Sequence, residues 1–190
     1  MLDRLVGAWR YSRYLRAQRR QSRAKRHKDA SFRLVPFVQI VRQHCADLGP
    51  RSAVLSIGPR NRVELDILKS AGFANVTAID VWSGAPGIIR CDMHAMTFPD
   101  SSFDLVFASH VFEHAYDFGR VASECVRVLK PGGYVFCAVP LGFEPNDHDP
   151  ISFDSPKAIL EYFARAEPQV VYEEVRESEL RLLFRTSKRR

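Results

Sequence analysis

The segment from Ser52 to Asp80 constrains this chain most, because it reads in succession as strand, tight turn, helix, strand and acid. Val54, Leu55 and Ile57 form a short apolar run that stops at Gly58, as a buried strand stops at a turn. Arg62 to Ala71 follows, with Val63, Leu65, Ile67 and Leu68 in a helix-compatible pattern and Gly72 where a C-terminal cap is expected. Val76 to Ile79 is a second apolar run, and it ends on Asp80. Such an order is half of a doubly wound nucleotide-binding unit, in which an acid about 20 residues after the first glycine is placed to accept hydrogen bonds from ribose hydroxyls. A plain βαβ unit with an ordinary strand-end aspartate is the blander reading of the same residues.

The rest of the chain extends this pattern. Ser31 is expected to cap a helix running to about Asp47, with Pro36 in an early turn and Leu48, Gly49 and Pro50 as its stop. Ile88 to Cys91 is a short third strand, and Asp104 to Ser109 is a fourth after the turn at Pro99 to Ser102. Phe118 to Leu129 reads as a helix whose inner face carries Val121, Cys125, Val128 and Leu129. Lys130, Pro131, Gly132 and Gly133 end that helix, and Tyr134 to Val139 is the next strand. Pro156 to Ala164 is a helix with Ser155 as its cap. Val170 to Arg176 and Leu180 to Thr186 are joined by three residues, which suffices only for an antiparallel hairpin. The expected fold is α/β and Rossmann-like: a doubly wound, mostly parallel seven-stranded sheet ending in a C-terminal antiparallel hairpin.

A chain of 190 residues is most simply one domain with an appendage. It has no apolar run of membrane-spanning length, and Arg4, Arg10 and Arg13 interrupt any secretory apolar region. Cys45, Cys91, Cys125 and Cys137 are scattered, with no C-x-x-C pair, and read as buried free thiols in a reducing, cytoplasmic setting. The formal net charge of +6 is concentrated in residues 1–33, where eleven Lys and Arg face only Asp3 and Asp29. Residues 1–30 are therefore a basic arm or helix, and residues 31–190 the domain proper. Leu2, Leu5, Val6 and Trp9 share one helical face of the arm. Four readings stay open for it: a helix docked on the domain, an anionic membrane contact that would make the protein peripheral, a nucleic-acid contact, or an organellar presequence.

The order of Val54-Leu55-Ser56-Ile57-Gly58, Val76 to Asp80, Cys91-Asp92-Met93, Phe98 to Phe107, Glu113-His114 and Arg127 to Gly133 resembles the class I S-adenosylmethionine-dependent methyltransferases, in particular the type-11 methyltransferase domains. The resemblance covers roughly Ser52 to Pro140. It implies S-adenosyl-L-methionine as cofactor, with Gly58 letting the backbone approach its methionine part. It further implies Asp80 on the ribose hydroxyls, Val81 or Trp82 against the adenine, Asp92 and Met93 at the adenine edge and ring, and Ser109 and His110 near the reactive methyl group. Chemistry beyond methyl positioning falls to His110 and to His148 in the loop after the fifth strand, as candidate bases; surface histidines at loop ends are the plain alternative.

The chain departs from the family at its first motif. Ser56 stands where the family usually has an acid, and Pro59-Arg60-Asn61-Arg62 replaces the remaining glycines. Either Asn61 or an arginine grips the cofactor carboxylate, or cofactor binding is weak or lost. His110-Val111-Phe112-Glu113-His114 matches H-x-x-E-H, but the first histidine ends a strand rather than sitting on a long helix, so no metal is expected. The function expected is methyl transfer to a small-molecule, lipid or glycan-type acceptor; the alternative is a catalytically silent binding module acting through the arm. A nicotinamide oxidoreductase is disfavoured by the absence of G-x-G-x-x-G, and a nucleic-acid methyltransferase by the absence of an Asn-Pro-Pro-Tyr-type stretch after the fourth strand.

Overall fold

The computed structural model describes residues 2–82 and 84–187; the side chains of residues 2–6, including the Leu2, Leu5 and Val6 face, lie outside the described set. In chain order the elements are α1 (Leu2–Ala24), α2 (Ser31–His44), β1 (Ala53–Ile57), α3 (Val63–Ser70), β2 (Asn75–Asp80), β3 (Ile88–Arg90), β4 (Phe103–Ser109), α4 (Phe118–Val128), β5 (Leu129–Pro140), α5 (Pro156–Leu160), β6 (Pro168–Val175) and β7 (Glu179–Thr186). Short 3₁₀ turns cover Phe112–His114 and Glu161–Ala166. The seven strands form one sheet in the order β3-β2-β1-β4-β5-β7-β6. Strands β1 to β5 are parallel, and β7 runs antiparallel between β5 and β6. The expected doubly wound sheet with its terminal hairpin is present.

Alternation along the central strands explains why helices cover both faces. In β4, Val106 and Ala108 turn to a core shared with Val121, Cys125 and Val128 of α4. Leu105 and Phe107 turn to the other core, against Phe37 and Val41 of α2 and Leu68 of α3. A strand buried on both faces must be apolar at every position, which is why these strands read as continuous apolar runs. All four cysteines are free and buried, as the sequence implies.

Two local readings need correction. Ser31 is the first helical residue of α2 rather than its cap: its backbone N–H donates to Asp29 Oδ1 at 2.8 Å, and Ala30 precedes it without a side-chain cap. The Lys130 to Gly133 segment does not sit between α4 and the next strand, because β5 already begins at Leu129. Instead it forms an irregularity within β5: Phe103 pairs with Leu129 and Leu105 with Tyr134, so the extra residues bulge out of the ladder.

Candidate functional site

In open α/β sheets, ligands bind beyond the carboxyl ends of the strands where the strand order reverses. Here β1 lies between β2 and β4, and Gly58, Asp80, Met93 and His110 follow the ends of four adjacent strands. Gly58 has φ +80°, a conformation that favours glycine, and a Cβ there would stand 2.6 Å from Val111 Cγ2. Its N–H donates to Ile79 O at 2.8 Å, which ties the turn to the end of β2.

Around this turn lies a narrow cavity of about 40 Å³, partly open to solvent. Its floor is Ile57, Gly58, Ile79, Asp80, Val81, Cys91 and Met93; His110, Val111 and His114 close one side. Its roof is α1, through Tyr14, Gln18, Gln21 and Ser22. The arm is thus stitched across the cavity. Tyr11 donates to Asp92 at 2.6 Å, Tyr14 to the His114 carbonyl at 2.6 Å, and Ser22 to Asp80 at 3.1 Å. Gln18 reaches the His148 carbonyl at 2.8 Å and Arg19 the Val81 carbonyl at 3.3 Å. The face of α1 turned away from the domain exposes Arg10, Arg13, Arg16, Arg20 and Arg23.

Asp80 is only 5% exposed. Its carboxylate accepts from Trp82 N at 2.7 Å and from Ser22 Oγ, while burial pushes its pKa up. A carboxylate has about four acceptor sites, so two such bonds leave lone pairs for further donors. Asp92 differs, because it lines no part of the cavity. It accepts from the His94 backbone at 3.0 Å and faces His94 Nδ1 at 2.8 Å. Burial works against its charged form, but the bonds from His94 and Tyr11 outweigh it and hold the pKa below the usual carboxylate range. His94 Nε2 in turn accepts from Tyr116 N at 3.0 Å, which leaves the hydrogen on Nδ1 to donate to Asp92. The Asp92–His94 pair thereby fixes the Met93 turn and ties it to α1.

A second narrow opening, of about 40 Å³, is lined by Gly58 together with Lys28, Arg33, Arg60, Asn61, Glu64, Ser109 and His110. Asn61 does not have a free amide there: its Nδ2 donates to the carbonyls of Arg26 and Lys28 at 3.0 Å each, and its Oδ1 accepts from Val63 N. Arg33 is the better placed cation, because its Nε is buried without a hydrogen-bond partner among the described residues. Ser56 lines neither opening; its hydroxyl turns to Glu64.

His110 faces both openings and has φ +49°. Its Nε2 lies 2.9 Å from Glu179 Oε2, and its Nδ1 lies 3.8 Å from Glu113 Oε1. The imidazole of His148 is exposed on its loop and lines neither opening, so only the His148 carbonyl takes part in this architecture. Sequence reasoning missed the roof residues of α1, the buried His94 bracket, and Arg33 and Glu64. An unusually polar inner stripe in the arm, Gln18 to Ser22, was the available sign of the roof.

Glu113 is 3% exposed, and burial pushes its pKa up to about 8. The folded chain therefore keeps a proton that the unfolded chain releases near 4.5, so this group makes stability fall as pH rises from about 4.5 to about 8. Glu113→Gln removes that contribution. Its melting temperature relative to the parent should rise steadily from pH 5 to pH 8 in calorimetric scans; parallel curves would show that Glu113 titrates normally.

Residues 55–137 match the family model of a methyltransferase domain. Among curated relatives, a malonyl-[acyl-carrier protein] O-methyltransferase of Halorhodospira halophila is 29% identical over 137 residues, 60% of this chain and 46% of that one. A sterol 4-C-methyltransferase of Caenorhabditis elegans is 34% identical over 104 residues, 55% of this chain and 28% of that one. The chain thus spans less than half the length of these relatives. A solved structure of a Burkholderia thailandensis 1,6-didemethyltoxoflavin-N1-methyltransferase, bound to its acceptor and S-adenosylhomocysteine, superposes with a TM-score of 0.68 at 18% identity, covering 94% of this chain and 89% of that one. The sheet order, the site at its switch point and the family match together define a class I methyltransferase fold. The match to the methyltransferase domain extends from β1 to β5, the strands that frame the site.

Proposed function

We propose that the protein is an S-adenosylmethionine-dependent methyltransferase acting on a small-molecule or lipid acceptor. The observation that carries this reading is the buried Asp80 carboxylate beside the Gly58 turn, in a cavity floored by Val81, Cys91 and Met93. These residues fit the cofactor. Asp80 would accept from the ribose hydroxyls, Val81 and Met93 would pack on the adenine, and the backbone at Gly58 would lie against the methionine part. Arg33 and Arg60 line the opening that its carboxylate would enter. Ser22 holds Asp80 in place of the ribose and would give up that bond on binding. Nothing among the relatives favours the silent-module alternative, since those named above are all methyltransferases.

When bound, the cofactor supplies a methyl carbon whose sulfonium leaving group is already activated by its charge. The protein must then hold the nucleophile in line and exclude water, and α1 provides the cover. His110 is the residue to take a proton from a hydroxyl or ammonium acceptor. With its hydrogen on Nε2 donated to Glu179, its Nδ1 is the accepting atom, and Glu179 steadies the imidazolium that forms. Selectivity falls to the loop from Leu141 to Asp154, which α1 touches at His148. The outward arginines of α1, with Trp9 57% exposed nearby, suit an anionic membrane surface from which a lipid acceptor would be taken. No helix among the described residues is long and apolar enough to cross a membrane.

A crystal structure with S-adenosylhomocysteine tests this reading. The ribose is expected on Asp80 beneath α1, with Ser22 displaced from the carboxylate. A nucleoside bound elsewhere, with the Ser22–Asp80 bond intact, would overturn it.

A further inference from the structure

The first motif lacks an acid on β1, and the structure puts one back from a different element. Glu64 rises from the first turn of α3 and is 5% exposed. Its Oε1 accepts from Ser56 Oγ at 2.5 Å, so the carboxyl group sits over the β1 position that lacks a negative side chain. It lines the same opening as Arg33, Arg60, Lys28 and Gly58.

A carboxyl group this deep is costly to ionise unless a cation meets it. Burial pushes the Glu64 pKa up to about 8, against the opposing pull of the Ser56 hydrogen bond and the Arg60 charge. Glu64 makes no salt bridge among the described residues. On the same opening, the buried Nε of Arg33 has no hydrogen-bond partner among the described residues. A buried acid with no cation paired to it and a guanidinium with a buried, unpartnered Nε line one opening, and they match the two charges of an α-amino acid group.

Resting on the cofactor reading above, we infer that Glu64 and Arg33 form a clamp for the zwitterionic end of the cofactor. Glu64 takes the α-ammonium, replacing from α3 the acid absent at Ser56, and Arg33, with Arg60, takes the carboxylate. Both charges are matched, so the turn works without the usual glycines. The Arg60 side chain then belongs to the site rather than marking a decayed motif.

The test compares S-adenosylmethionine with 5′-methylthioadenosine, which keeps the nucleoside and lacks the amino acid end. Glu64→Gln preserves size and can still accept from Ser56. By calorimetric titration it should weaken S-adenosylmethionine binding roughly 10- to 100-fold, the scale of a lost charge-assisted hydrogen bond. Binding of 5′-methylthioadenosine should stay within about twofold. The double variant S56D/E64Q, which returns an acid to β1, should recover most of the lost affinity. Equal losses for both ligands, or no loss for either, would overturn the clamp while leaving the cofactor reading standing. Failure of the unaltered protein to bind either ligand would remove that reading and the clamp with it.

Discussion

Asp80→Ala should lower affinity for S-adenosylmethionine by about 2–3 kcal/mol, or roughly 30- to 150-fold. The carboxylate is buried at the end of β2 and, among the described residues, accepts side-chain and backbone hydrogen bonds from Ser22 Oγ and Trp82 N. A ribose would bring two hydroxyl donors to it in a site shielded from water, where charge-assisted bonds are strong. The substitution should not unfold the protein, because burial of this carboxylate already works against its charged form. Ser22→Ala separates the two roles of the site. It removes the internal competitor while keeping the acid, so affinity should hold or rise. If Asp80→Ala left affinity unchanged, the ribose would not sit where β2 ends.

The second large effect is expected at Gly58. Gly58→Ala meets two separate penalties. The backbone φ of +80° disfavours any residue with a Cβ, at roughly 1–2 kcal/mol. The new Cβ would also lie 2.6 Å from Val111 Cγ2, and displacing a packed side chain costs about 1–3 kcal/mol. Urea unfolding should therefore show a loss of about 2–5 kcal/mol. Val111 lines the cavity, so pushing it aside also narrows the space for a nucleoside. Adding Val111→Ala removes the 2.6 Å contact and leaves Val111 Cβ at 3.0 Å, so it should return most of the steric part and leave the backbone part. A double variant as unstable as Gly58→Ala alone would mean that the clash is relieved elsewhere and only the backbone matters.

The central sheet was legible because its strands are buried on both faces, so each is written as an unbroken apolar run ending at a turn residue. Gly58 and Asp80 were legible for the same reason, since strand ends mark the site in this architecture. Asp92 was harder to place. Its position after β3 suggests a ligand contact, but the carboxylate is already occupied by His94 two residues on and by Tyr11, which lies far away in the sequence and is invisible from local spacing. Asn61 was misleading in the same way, because the end of the arm had claimed its amide. Glu64 reads in the sequence as an ordinary acid in the first turn of a helix. Only the fold shows that it leans over Ser56. The arm was ambiguous because its mixture of Arg, Gln and Tyr has weak apolar periodicity. It docks through hydrogen bonds and through the rings of Tyr11 and Tyr14 against His94 and Tyr116, contacts that leave little mark on the hydrophobic pattern.

For the site to work as a methyltransferase, a nucleoside cofactor must enter beneath α1. Calorimetric titration of the intact protein with S-adenosylmethionine and S-adenosylhomocysteine addresses that most directly. The geometry predicts one site per chain, with affinity in the micromolar range for at least one of the two and sharply weaker binding in Asp80→Ala. Heat flow indistinguishable from dilution for both ligands would contradict it, and the domain would then be a methyltransferase fold closed by its own N-terminal helix.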